Sequence, residues 1–179
     1  MTKKEEILQI ALKQFAKNGY ENTSLEKIAQ EANLTKPAIY YHFKNKKDLY
    51  NQIFLKYFKK LKFQNNLKDY IYKMGEFYIK NPQIAKLFSK EIANDMEHLE
   101  IETIKIISKP LKTLSQILEN KNINPFFIQT LIVASFTTYI NTLEIRKKIS
   151  KVWNEEFIVD FNVIEEIYKT IKLYIENNN

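Results

Sequence analysis

A chain of 179 residues, 45% apolar and 27% charged, has room for one large or two small folded domains. Two glycines and four prolines supply too few turns for a sheet-rich fold, and the lack of cysteine excludes disulfides, zinc–thiolate sites and thiol nucleophiles. The formal net charge of +7, with nine lysines against six acids in residues 1–50, permits nucleic-acid binding without demanding it.

Apolar spacing predicts an all-α chain of about nine helices. The first covers residues 3–18: Ile7, Leu8, Ala11, Leu12, Phe15 and Ala16 form one stripe, Thr2 and Glu5 have capping-box spacing, and Gly19 suits a helix stop. A second helix, about residues 24–32, faces Leu25, Ile28, Ala29 and Ala32 inward, with Thr23 and Glu26 again at capping-box spacing. After a tight turn, Asn33-Leu34-Thr35, a short third helix spans about residues 36–43, with Thr35 as its cap and Pro37 in its first turn. Asn45 then caps a fourth helix, about residues 46–61.

Further on, Leu67, Tyr70, Ile71, Met74, Phe77 and Tyr78 recur at helical spacing. Asn81-Pro82 and Asn124-Pro125 read as helix starts, and Pro110 kinks or breaks a helix over about residues 99–119. One helix is expected over about 125–147, a loop near 150–154, and a last helix over about 155–176. The pattern divides inside the fourth helix: residues 1–47 read as a three-helix head and residues 48–179 as a larger bundle.

The segment from Thr23 to Lys47 has the proportions of a helix-turn-helix. At ~100° per residue, Ile39 and Phe43 of its second helix face inward with Tyr40 at the edge. Pro37, Ala38, Tyr41 and His42 point away. Outward aromatics flanked by Lys36, Lys44, Lys46 and Lys47 suit a phosphate-and-base surface better than plain solvent. The bland alternative is an ordinary helical hairpin, with Tyr40 in the core and Lys44 and Lys47 merely solvated.

These residues resemble the DNA-binding domain of the TetR family of bacterial repressors. The matching positions are Phe15, Ala16, Gly19-Tyr20, Thr23-Ser24, Ile28-Ala29, Ala32, Thr35-Lys36, Tyr40-Tyr41-His42-Phe43-Lys44, Lys46 and Leu49. Two departures are Asn33, where glycine is common and Asn tolerates the turn, and Pro37, which removes a backbone N–H from the phosphate set. The resemblance implies a DNA-contacting set of Thr23, Ser24, Thr35, Lys36, Pro37, Ala38, Tyr40, Tyr41, His42 and Lys46. It also implies a homodimer on a near-palindromic operator, held by a four-helix interface built from the last two helices of each copy.

Residues 125–143 carry no charge. One-sided burial would leave charges on the exposed face, so this helix is expected to be in contact on most sides, with Ala134 and Thr138 at the dimer interface. The bland alternative is a core helix of a monomer. A small hydrophobic or aromatic ligand is expected among Phe77, Tyr78, Phe136 and Tyr139. His98 stands among Asp95, Glu97, Glu100 and Glu102 and reads as a surface histidine; no convergent metal ligands are visible. Glu155-Glu156 and Glu165-Glu166 read as solvated faces, and Arg146-Lys147-Lys148 as a helix terminus.

The expectation is a transcriptional regulator, a repressor released from DNA by its ligand, and not an enzyme, since no nucleophile–base pair is evident. The alternative is a TetR-like DNA-binding protein without a small-molecule inducer, answering to a protein partner. No cofactor is expected. The N-terminus lacks the apolar core of a signal peptide and residues 125–143 are too polar to span a membrane, so the cytoplasm is the expected compartment. The head has no arginine and its recognition helix no Asn or Gln, so an AT-rich site read partly through shape is expected.

Overall fold

The computed structural model describes residues 2–155 and 161–178. Among these there are eleven helices and no strand: α1 (Lys3–Asn18), α2 (Leu25–Glu31), α3 (Lys36–His42), α4 (Lys46–Phe58), α5 (Leu67–Lys80), α6 (Pro82–Ala93), α7 (Ile101–Ile107), α8 (Lys109–Ile117), α9 (Pro125–Asn141), α10 (Leu143–Trp153) and α11 (Val163–Asn177). The all-α expectation holds. Eleven rather than nine arise because two long segments are each divided. The first breaks at Ser108, just before Pro110. The second breaks at Thr142, where α9 and α10 meet at 62°.

The Thr142 break replaces the single helix expected over 125–147, and α10 occupies most of the expected 150–154 loop. Side chains add bonds to backbone carbonyls there. The Thr142 hydroxyl donates to the Thr138 carbonyl at 2.6 Å, and Arg146 Nη1 donates to the Tyr139 carbonyl at 2.7 Å. The last helix begins at Val163, capped by Asn162. Part of its expected start, including Glu156, lies outside the described residues. No single helix among the described residues is long and apolar enough to cross a membrane.

The chain packs as two compact units, residues 1–60 with 86–108 and residues 61–85 with 109–179. The packing thus does not divide at 47/48. Helix α4 lies wholly in the first unit because Leu49, Tyr50, Ile53 and Phe54 are buried, with α4 against α1 and α7. The core of this unit also holds Ile7, Ala11 and Phe15 of α1, Ile28 and Ala29 of α2, and Ile39 of α3. In the second unit, α5 packs on α9 and α11, and α8 packs on α9. Tyr70, Ile71, Met74 and Tyr78 of α5 meet Ile128, Ile132 and Phe136 of α9 and Ile171 and Ile175 of α11 in its core.

Gly75 marks a close approach in that second core. A Cβ there would sit 2.7 Å from Ile164 Cγ1 and 2.7 Å from Phe136 Cζ. Phe136 is fully buried and has nowhere to retreat. Alanine would gain about 1 kcal/mol of helix propensity, but overpacking costs about 1–3 kcal/mol. Gly75→Ala should therefore lower the denaturation midpoint despite its better propensity, and Gly75→Val should lower it further. Chemical denaturation decides this: a stabilised alanine variant would show that α5, α9 and α11 are more loosely packed than described.

Candidate nucleic-acid interface

The turn between α2 and α3 is built by a Schellman closure. Asn33 adopts φ 52°, its N–H donates to the Gln30 carbonyl at 3.1 Å, and the Leu34 N–H donates to the Ala29 carbonyl at 2.8 Å. Asparagine does here what glycine would do, as its sequence position suggested. Ser24, not Thr23, caps α2, accepting from the Lys27 N–H at 3.2 Å. Thr35 stands at the N-cap of α3 but makes no side-chain cap bond. Pro37 has no N–H to offer, and the Ala38 N–H already donates to the Thr35 carbonyl at 3.0 Å.

Helix α3 is anchored by Ile39, with Phe43 beside it at the helix end; both are buried. Thr35, Lys36 and Pro37 are exposed, Ala38 and His42 are half-buried, and Tyr40 and Tyr41 are 46% and 87% exposed. Tyr41 and His42 pack edge to face, with centroids 5.0 Å apart. Lys36 pairs with Glu26 across the turn, a contact that raises the ammonium pKa and lowers that of the carboxylate. Both partners are solvated, so an incoming phosphate can compete for the lysine.

Lys46, at the start of α4, is held rather than free. Its ammonium lies 4.2 Å from the Tyr20 ring centroid and donates to the Glu21 carbonyl at 3.3 Å. Thr23 is 2% exposed, and its hydroxyl contacts the Gly19 and Gln14 carbonyls at 2.7 and 3.3 Å. The structure thus gathers Ser24, Thr35, Lys36, Pro37, Tyr40 and Tyr41 on the accessible side of the head, while Thr23 faces inward as a brace.

Sequence reasoning missed a polar cluster behind this face. His98 is not a surface residue: its side chain is 12% exposed and its ring lies 4.1 Å from that of Tyr20. Its Nδ1 is 2.9 Å from Glu91 Oε1 and its Nε2 is 3.1 Å from Glu21 Oε1. Glu91, 1% exposed, also accepts from the Tyr50 hydroxyl at 2.6 Å. Burial and that carboxylate both push the Tyr50 pKa upward, so its phenol stays a donor. Asn51, 2% exposed, donates to the His98 carbonyl at 3.0 Å and accepts from the Glu100 N–H at 2.8 Å. An asparagine between buried neighbours on α4 was the one available signal.

In the second unit, Phe77, Tyr78 and Phe136 are buried, with the Tyr78 and Phe136 rings 6.5 Å apart. Tyr139 is not with them. It lines an open groove of about 570 Å³ with Leu131, Ala134, Thr138, Arg146 and Ile171. Arg146 stacks 4.0 Å from the Tyr139 ring. Ala134 and Thr138 are exposed in the single chain. Among the described residues no group of three or more His, Cys, Asp or Glu could hold a metal ion.

Residues 7–53 match the family model of bacterial regulatory proteins, tetR family. The chain is 44% identical over 52 residues to a probable acrEF/envCD operon repressor of Escherichia coli (strain K12), covering 29% of this chain and 24% of that protein. It is 41% identical over 49 residues to the biofilm operon icaADBC negative transcriptional regulator IcaR of Staphylococcus aureus (strain Newman), covering 27% and 26%. The match spans about a quarter of each relative's length. Likeness of fold extends further. A putative transcriptional regulator from Streptomyces coelicolor aligns over 97% of this chain and 98% of its own, with TM-score 0.69 and 16% identity. The regulator FadR from Bacillus subtilis, solved with stearoyl-CoA, aligns over 96% and 97%, with TM-score 0.62 and 17% identity.

The placement of Thr23 separates stability from binding. Thr23→Val keeps the shape but removes the donor facing the Gly19 carbonyl, at an expected cost of about 1–3 kcal/mol. Its unfolding midpoint should fall while DNA affinity per folded molecule stays at the parent level. A variant of unchanged stability that binds DNA poorly would move Thr23 to the contacting set.

Proposed function

We propose that the chain, whose residues 7–53 match the family model of bacterial regulatory proteins, tetR family, is a member of that family and a sequence-specific DNA-binding transcriptional regulator acting as a homodimer. The observation that carries this is α3. Its inner face is fixed by Ile39 and Phe43, while Lys36, Pro37 and Tyr41 are held out from the head. Two copies would set two such helices in successive major grooves of a near-palindromic operator. Lys36 to phosphate or a guanine edge, Pro37, Ala38 and Tyr41 against thymine methyls, and Lys46 to phosphate form the contact set. Repression is the sign of regulation that the named relatives support.

The dimer face is formed by α9 and α11. On α9, Phe126, Phe127, Thr130, Leu131, Ala134 and Thr138 are exposed and uncharged. An uncharged exposed face beside an apolar groove is what a second copy would cover. Release by a small hydrophobic ligand is supported by the fold shared with a regulator solved in complex with stearoyl-CoA. A ligand among Phe77, Tyr78 and Phe136 must part packed side chains, whereas Tyr139 serves the groove. That packing equally favours a regulator without a small-molecule inducer that answers to a protein partner. By linkage, any ligand that weakens DNA binding is itself weakened by DNA to the same degree. Loss of operator binding with apolar or amphipathic compounds, as against no loss with any compound, separates the two readings.

Selection from random duplex DNA should return an AT-rich, near-palindromic site, because the recognition helix has no Arg, Asn or Gln to read G·C or A·T edges bidentately. On that site log K should fall with log salt by roughly 0.9 per phosphate neutralised. Lys46→Ala should flatten this slope and weaken all sequences alike. A GC-rich consensus, or an unchanged slope in the variant, would contradict the contact set.

Sedimentation tests the assembly. The wild type should run as a dimer, and Ala134→Lys, which sets a charge on the uncharged face of α9, should give folded monomers with weak operator binding. Wild-type-like dimers of the lysine variant would place the interface elsewhere.

A further inference from the structure

We propose that His98 is a proton-dependent positioning residue for the DNA-binding head: as an imidazolium it ties Glu21, at the α1–α2 corner, to the buried Glu91 of α6, and so makes operator affinity fall as pH rises. The proposal rests on the reading of the head as a DNA-binding domain.

The argument begins with donor counting. Both ring nitrogens of His98 face carboxylate oxygens, Nδ1 at 2.9 Å from Glu91 and Nε2 at 3.1 Å from Glu21. A carboxylate only accepts, and a neutral imidazole has one N–H to give. Two such contacts therefore need one further proton. It sits on the imidazole, or on Glu91 Oε1 with a neutral ring donating to Glu21. The two microstates hold the same proton count. When that proton leaves, one contact becomes acceptor against acceptor and must open.

Burial decides which contact opens. The Glu91 side chain is 1% exposed and that of Glu21 is 78% exposed. Glu91 cannot be rehydrated in place and keeps the remaining N–H, aided by the Tyr50 hydroxyl at 2.6 Å. Glu21 turns to water. The charged and titratable groups facing the imidazole are Glu21 and Tyr20 from the α1–α2 corner, Tyr50 from α4, and Glu91 from α6. Lys46 of α4 sits against the Tyr20 ring, 4.2 Å from its centroid.

The corner that Glu21 occupies matters to the interface. The Glu21 carbonyl accepts from Lys46, and Tyr20 stacks on His98 at 4.1 Å. Releasing the Glu21 carboxylate frees the corner whose carbonyl holds the Lys46 ammonium. The sign follows from linkage: the DNA-competent arrangement holds the proton, so affinity is full at low pH and is lost as the proton leaves. His42, the other histidine in the chain, lies on α3. It must be removed from the comparison.

The test uses the whole chain in a His42→Gln background, with the operator selected from random DNA by that same variant and ionic strength held constant. Operator affinity should fall roughly threefold or more from about pH 6 to about pH 8.5. His98→Gln and Glu21→Gln should each flatten the profile. Glu21 is exposed, so its variant keeps the fold even if the histidine variant fails to fold. In parallel, the ring signals of His98, the single histidine left in this background, should titrate at lower pH in Glu21→Gln than in the parent, with or without DNA. A pH slope that persists in Glu21→Gln, or a His98 titration that the variant leaves in place, overturns the proposal. Absence of any sequence-specific DNA binding by the wild type at every pH would sink the functional reading instead, and the ring titration would still decide the network.

Discussion

Helix α3 has seven residues, too few to hold a helix alone in water. Its conformation is borrowed from the head through Ile39 and Phe43, both buried. Each such side chain contributes about 1.5–3 kcal/mol when taken from water. Everything on the outward side of α3 depends on that anchorage. Because the inner residues define the helix, Lys36, Pro37 and Tyr41 need make no stabilising contact of their own. They are left open to solvent. The Schellman closure at Asn33 adds direction, since it fixes how α3 leaves α2 with two backbone hydrogen bonds.

A second constraint lies behind the face. A carboxylate as buried as Glu91 is costly unless it is partnered. Tyr50 and His98 partner one of its oxygens, and Asn51 holds the chain on either side of Leu99 against α4. Buried polar groups of this kind add little net stability, but they accept few alternative arrangements. They set the register of the 94–100 segment, whose backbone turns through positive φ at Asp95 and Met96. An apolar filling of the same volume would leave that register to less directional contacts.

The sequence was most legible where one local rule acted alone. The Thr2 and Glu5 capping box, the Gly19 stop, the Asn45 cap and the inward pair Ile39 and Phe43 are all present as spacing suggested. It misled where two rules competed for one residue. Thr23 has capping-box spacing, but Ser24 is one residue nearer the helix and takes the cap, so the Thr23 hydroxyl turns to Gly19. At Thr142 no glycine or proline announces the break between α9 and α10. Hydroxyl and guanidinium bonds to backbone carbonyls accompany it, which periodicity does not register. His98 looked solvated because its sequence neighbours are acidic; its partners, Glu21 and Glu91, come from other elements. The outer limits of the DNA-contacting set and of any ligand site depend on molecules bound to the chain, and local spacing carries no record of them.

The uncharged stretch 125–143 shows what a composition argument can and cannot say. Lack of charge suggested contact on most sides. In the single chain α9 buries Ile128, Ile132 and Phe136 on one side and exposes Leu131, Ala134 and Thr138 on the other. A helix with one solvated face normally carries charge there. Neighbouring α10 does so, with Glu144, Lys147, Lys148 and Lys151 exposed. The difference between adjacent helices of one lysine-rich chain is hard to ascribe to overall composition. It is accounted for if the open face of α9 is desolvated in the working assembly, since an unpaired lysine there would cost several kcal/mol. A two-fold axis makes that economical, because each uncharged face meets an identical one and no second protein need be matched to it.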